Sequence, residues 1–157
     1  MKNQFSTLLK EVISFGREEA VRLNCNAIGT GHLLLALIKQ DHNMTILLLK
    51  KADITLPELQ KEIDACILQG EKISDIDVGK ARVGLPLSRR SEKAIRVSIL
   101  EAKHMHSKLV EPEHLLLSIL NDADDSAAKI FDRHGLTYRA AEALINSSSF
   151  RNSRSPE

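Results

Sequence analysis

The sequence predicts an all-α domain built as a tandem duplication of a four-helix unit. Apolar residues recur at helical spacing along the chain, and no segment shows the alternating, β-branched pattern of a strand, so strands are not expected. Shifted by 82 positions, the sequence aligns with itself without a gap, from about 5–63 onto 87–145. We therefore expect eight helices related by a pseudo-two-fold axis, within one doubled domain over residues 1–146.

The duplication is supported by identities that share a single register. The run His-Leu-Leu-Leu at 32–35 coincides with the same run at 114–117, and a four-residue identity in register with scattered matches is hard to obtain by chance. Other identical pairs are Ser6 with Ser88, Ile13 with Ile95, Glu19 with Glu101, Ala20 with Ala102, Thr55 with Thr137 and Ile63 with Ile145.

The first repeat, residues 4–68, contains four predicted helices. The first has an apolar face from Phe5 to Leu23 and ends at the Asn- and Gly-containing segment 24–29. The second is centred on 33–38, which has no polar face, so we expect it to be central and buried. After a turn at 41–43, the third helix covers 44–51.

The fourth helix starts at Thr55, where Thr, Pro57 and Glu58 form a capping-box pattern, and runs to about residue 68. The second repeat, residues 87–146, follows the same plan with helices at 88–106, 112–121, 126–134 and 137–145. Gly, Pro and charged residues make 69–86 a flexible connector, and polar composition predicts a disordered tail or linker at 147–157.

Composition and charge exclude several classes of function. The chain has 157 residues, with 22 Lys and Arg against 21 Asp and Glu, so no overall field attracts nucleic acid or anionic lipid. No apolar run approaches the roughly 20 residues of a membrane span, and charges at Lys10 and Glu11 interrupt any signal-peptide core. We expect a cytoplasmic protein that binds neither nucleic acid nor membrane, with Cys25 and Cys66 as free thiols.

Enzymatic motifs are absent from the sequence. A phosphate-binding Walker loop needs GxxxxGK[ST], but Gly79-Lys80 is followed by Ala81 and has Ser74 where the first Gly belongs. No GxSxG or HExxH motif occurs, and no catalytic Cys/His pattern is present. His104 and His106 are two positions apart, so on a helix they point to different sides and make poor partners for one metal ion.

His32 and His114 are the histidines that the duplication places at the same point of both repeats, at the start of the buried second helix. One interpretation is a ligand-binding or proton-switching pair. The other, which we favour, is structural: each ring hydrogen-bonds a backbone group and fixes the approach of the first helix.

The residues that flank these histidines resemble a known family. The segments Glu18–Leu23, Ile28–Leu34 and Val110–Leu116 match the pattern of the N-terminal domain of Clp/Hsp100 AAA+ unfoldases, with the ClpC branch most similar. The resemblance covers about residues 4–146 and both copies of the repeat.

The resemblance implies a non-catalytic module that docks adaptor proteins and unfolded or tagged clients. In the family it precedes ATPase modules, which use ATP and Mg and thread clients into a ClpP-type peptidase. This chain would then need no cofactor of its own, and the isolated domain is expected to be a monomer. A stand-alone Clp-repeat regulatory protein is the alternative.

The resemblance also implies phosphoarginine binding, because each repeat of ClpC-like members can form a pocket for this group. A Glu before the His would pair with the guanidinium, while hydroxyl and basic groups hold the phosphate. The second repeat matches with Glu113, Ser88 and Arg90. The first has Ser6 but carries Leu8 and Gly31 at the charged positions, so only the second is expected to bind. The alternative is that Glu113 merely favours its helix N-terminus, by roughly 0.3–1 kcal/mol.

Overall fold

A computed structural model describes residues 4–40, 43–70 and 85–146. The first repeat comprises β1 (Gln4–Phe5), α1 (Thr7–Arg22), α2 (Thr30–Gln40), α3 (Met44–Lys51) and α4 (Leu56–Gly70). The second comprises α5 (Arg89–His104), β2 (Leu109–Val110), α6 (Pro112–Leu120), α7 (Ser126–Arg133) and α8 (Tyr138–Asn146). Most of the predicted connector, and all of the predicted tail at 147–157, lie outside the described residues.

The helices confirm the all-α class, and their first residues repeat with the 82-residue offset. Ser6 and Ser88 precede α1 and α5 with the same backbone dihedrals, φ −68° and ψ 163°. Asn43 and Asp125 cap α3 and α7 with their side chains, which accept hydrogen bonds from the backbone N–H groups of the second and third helix residues. The local signals that start each helix are thus duplicated along with the apolar pattern.

The expectation that strands are absent was wrong. Phe5 pairs in parallel with Val110, and an isolated parallel bridge joins Ile28 to Leu87. Because Phe5 is equivalent to Leu87 and Ile28 to Val110, the two pairings are copies of one another. Each is too short to show a period-two sequence pattern, and each forms only when the other repeat supplies its partner.

The central helices α2 and α6 hold the core together. Every residue of α2 except Lys39 is buried, as the absence of a polar face predicts, and all of α6 is buried. The third helix of each repeat crosses to the other: α3 contacts α6 and α8, while α7 contacts α4. The buried apolar residues therefore form one core that includes side chains from both repeats.

Candidate functional site

The serines predicted to hold a ligand lie at helix N-termini and act there as caps. Ser6 Oγ accepts a hydrogen bond from Leu9 N–H at 3.0 Å, and Ser88 Oγ accepts one from Ser91 N–H at 3.1 Å. Ser6 is buried, whereas Ser88 is half-buried. Each hydroxyl keeps a proton to donate, so capping leaves one hydrogen bond for another partner.

The equivalent positions 31 and 113 are both buried, but only position 113 carries a charged side chain. A Cβ atom built on Gly31 would lie 2.8 Å from Ile67 Cγ1 and 2.9 Å from Ile67 Cδ1. Ile67 on α4 thus fills the space beside Gly31, and that space is apolar. Glu113 stands at the same place in the second repeat and is only 2% exposed. The first repeat has no room for a carboxylate where the second carries one.

Arg90 lies in a cavity of about 150 Å³ between α5 and the end of α6. Arg90 Nη1 donates to Asp122 Oδ2 at 2.7 Å. The same cavity is also lined by Lys93 and Asp125, and Thr30 of the first repeat reaches it, but neither Ser88 nor Glu113 does. The structure therefore brings Arg90 together with charged residues that the sequence pattern did not indicate.

In the first repeat, Gln40 stands at the position equivalent to Asp122. Its Nε2 donates to Leu8 O at 3.0 Å and to Glu11 Oε1 at 2.7 Å, while Asn43 Nδ2 donates to its Oε1 at 2.9 Å. Gln40 is 2% exposed. Its second-repeat equivalent is Asp122, which is shorter and charged, so the two repeats differ in packing as well as in charge.

The paired histidines accept hydrogen bonds at the starts of α2 and α6. His32 Nδ1 accepts from Gly29 N–H and His114 Nδ1 from Glu111 N–H, both at 2.8 Å. For a ring nitrogen to accept, it must be unprotonated, so each proton of the neutral ring lies on Nε2. Burial lowers the pKa of His32 to about 4 from its ordinary value of about 6.5.

A pH dependence of stability follows for His32. Because its pKa is depressed on folding, its contribution is complete above about pH 6.5 and is lost as the pH falls towards 4. We expect the free energy of unfolding of the wild type to fall over this interval by up to about 1.4 kcal/mol per pH unit more than that of His32→Gln. Urea titrations at several pH values measure this difference, with exposed His106→Gln as the control. Parallel profiles for wild type and His32→Gln would contradict it.

A buried glutamate stands at the same position of both repeats, as Glu19 and Glu101, and the two have different partners. Glu19 accepts from Arg22, whose Nη2 also reaches Asp64 Oδ1 at 3.0 Å. Its equivalent Glu101 accepts from Tyr138 Oη at 3.0 and 3.1 Å. Burial raises the pKa of Glu101, and burial together with this hydrogen bond raises the pKa of Tyr138 to about 12. The charge of Glu19 is thus balanced by the cation of Arg22, whereas Glu101 receives a hydrogen bond from the neutral phenol of Tyr138.

The described residues contain neither a side-chain cluster that could hold a metal ion nor a membrane-spanning helix. Within the described ranges, no group of three or more His, Cys, Asp or Glu side chains could hold a metal ion. No helix in that part of the chain is long and apolar enough to cross a membrane. His104 and His106 are exposed, and His104 Nε2 lies 3.7 Å from Glu142 Oε2.

The duplicated fold defines a class of protein, the tandem-repeat helical domains. Comparison with known proteins gives the family. Residues 4–146 match the Clp repeat N-terminal domain, and the chain belongs to this family. Over 145 residues it is 27% identical to the negative regulator of genetic competence ClpC/MecB of Bacillus subtilis, covering 92% of this chain and 17% of that protein. It is 32% identical over 136 residues to the ATP-dependent Clp protease ATP-binding subunit ClpC of Staphylococcus aureus, covering 87% and 16%.

The chain therefore spans about one sixth of the length of these ClpC relatives. Solved structures agree on the fold. The Hsp104 N-terminal domain of Candida albicans matches with a TM-score of 0.71 at 16% identity, over 92% of this chain and 91% of that one. The N-terminal domain of the chaperone ClpD of Arabidopsis thaliana matches with a TM-score of 0.69 at 20% identity, over 92% and 96%.

Proposed function

We propose that this chain is a non-catalytic, cytoplasmic docking domain for adaptors and client proteins of a ClpC-like unfoldase. The observation that carries the proposal is the match of both repeats, over residues 4–146, to the Clp repeat N-terminal domain. On this proposal ATP and Mg act in ATPase modules of a parent protein, and a ClpP-type peptidase receives the clients. Individual contacts would be weak, because several domains on one ring raise the effective concentration of binding sites.

A permanently unfolded client tests this function. Reduced, carboxamidomethylated α-lactalbumin stays unfolded, and native α-lactalbumin is its matched control. We expect fluorescence anisotropy to show saturable binding of the unfolded form to the 157-residue chain and at least about 10-fold weaker binding of the native form. Equal affinity for both forms, or no binding of either, would argue against client docking.

The sequence of the gene beyond residue 157 separates this proposal from a stand-alone regulatory protein. Walker motifs downstream of Glu157 would support the docking domain of an unfoldase. A stop codon at that point would instead favour a stand-alone Clp-repeat regulator.

Phosphoarginine binding by the second repeat is a second candidate function, favoured by the contrast between positions 31 and 113. Glu113 would pair with the guanidinium, and Ser88 and Arg90 would contact the phosphate. For this, Arg90 must leave Asp122, to which it now donates at 2.7 Å.

Calorimetry with free phosphoarginine tests this candidate. We expect one site per chain, with binding abolished in Glu113→Gln and retained in the exposed control Glu92→Gln. Zero sites or two sites per chain would contradict the assignment to the second repeat.

A further inference from the structure

One face of α5 carries an exposed stripe of positive charge, formed by Arg89, Lys93, Arg96 and Lys103. At about 100° per residue these side chains fall within an arc of about 80°, and the stripe is about 21 Å long. Leu100 lies on the same arc and is 60% exposed. The stripe thus combines four cations with one large apolar side chain.

The cations of this stripe are not used by the fold. No residue that the structure describes forms an ion pair with any of the four, although Glu92 lies nearby on the same helix. The buried face of α5 consists of other residues: Ser91, Ala94, Ser98, Glu101 and Ala102. Packing of the helix therefore does not require the charges.

Their positions on the helix are also unfavourable. Arg89 is the first residue of α5, where the positive end of the helix dipole repels a cation. Arg89 and Lys93 are four residues apart, and Lys93 and Arg96 are three apart, so the like charges repel each other. A neutral or acidic stripe would make a more stable helix.

The first repeat shows that the same fold accommodates a stripe without positive charge. The equivalent positions on α1 are Thr7, Glu11, Ser14, Glu18 and Val21, which carry two negative charges and no positive ones. Both helices have the same length and the same capping serine. The difference in charge between the repeats is therefore a difference in surface and not in architecture.

We propose that this α5 stripe docks an acidic segment of a protein partner. Carboxylates of the segment would pair with the cations along the 21 Å of the stripe (about 14 residues at 1.5 Å each), and one apolar side chain would cover Leu100. Pairing would remove the repulsion within the stripe, and attraction between opposite charges would speed the encounter. The inference rests on the proposed docking function and assigns to it a face and a partner chemistry.

A synthetic peptide tests the stripe directly. The probe is a fluorescein-labelled helical peptide of about 20 residues with glutamates at every third or fourth position and one central leucine. Its control has glutamine at each glutamate. The test variant is Arg89→Glu/Arg96→Glu. The matched control is Lys10→Glu/Arg17→Glu, which changes net charge equally at exposed positions of α1.

We expect the acidic peptide to bind the wild type and the α1 control alike, and the α5 variant about 10-fold or more weakly. Raising NaCl from about 50 to about 300 mM should weaken wild-type binding, because salt screens exposed charges. Circular dichroism checks that both variants remain folded. Equal losses in the two variants, or equal binding of the glutamine peptide, would overturn the proposal.

Two further measurements distinguish an acidic protein segment from other ligands of the stripe, and the stripe proposal from the docking function. Tighter binding of a single-stranded oligonucleotide than of the acidic peptide, or dimerisation that Arg89→Glu/Arg96→Glu abolishes, would overturn the assignment to an acidic protein segment. Binding of unfolded α-lactalbumin without binding of the acidic peptide would refute the stripe proposal and leave the docking function standing.

Discussion

Gly31→Glu is expected to destabilise the protein by about 2–4 kcal/mol, although it copies the residue of the second repeat. A Cβ at this position would lie 2.8 Å from Ile67 Cγ1, so α4 must shift or Ile67 must leave its buried place. The carboxylate would also enter an apolar environment. The gain of about 1 kcal/mol in helix propensity over glycine is too small to compensate. Urea unfolding followed by circular dichroism measures the change.

Gly29→Glu is the matched control, because it also copies the second repeat, at Glu111. A Cβ on Gly29 meets only His32 Nδ1, at the ordinary contact distance of 3.7 Å. We expect a change within about 0.5 kcal/mol there. In a double-mutant cycle, Ile67→Ala should relieve at least about 1 kcal/mol of the cost of Gly31→Glu. Additive effects would show that Ile67 does not fill the space beside Gly31.

Leu34→Ala and Leu116→Ala are each expected to destabilise the chain by about 3–4 kcal/mol. The two leucines are equivalent under the 82-residue offset, and both are fully buried on the central helices α2 and α6. Each truncation removes apolar contacts and leaves a cavity in one shared core. Because that core joins the repeats, we expect each variant to unfold in one cooperative transition.

Leu68→Ala serves as the exposed control, since Leu68 is 53% exposed on α4, and its effect should stay within about 0.5 kcal/mol. Calorimetry and urea unfolding read out the three variants together. Two separated transitions in Leu116→Ala would show that the repeats fold independently, contrary to the shared core.

The helices could be predicted from sequence because their signals are local. The apolar run 33–38 without a polar face indicated the buried α2, and the shared register indicated that the second repeat would copy the first. Thr55 directly precedes α4, so the helix begins where the predicted capping pattern placed its start. Such signals need only neighbours within about one turn.

The features that the sequence did not reveal depend on contacts between residues far apart in the chain. Ser6 N–H donates to Val110 O, and Ser88 N–H donates to Ile28 O, both at 3.0 Å, and neither pairing leaves a pattern within its own segment. The contact between Gly31 and Ile67, and the pairing of Arg90 with Asp122, likewise join separate helices. The sequence identified Arg90 and Glu113 as the charges that the first repeat lacks. It could not show that Arg90 lines the cavity while Glu113 does not.

Hydrogen–deuterium exchange in the presence of unfolded α-lactalbumin tests most directly whether duplicated repeats of the same fold have divided roles. We expect binding to slow the exchange of amides in α5, while the equivalent amides of α1 are unchanged. Equal protection of α1 and α5, or protection confined to α1, would contradict the assignment of partner binding to the second repeat.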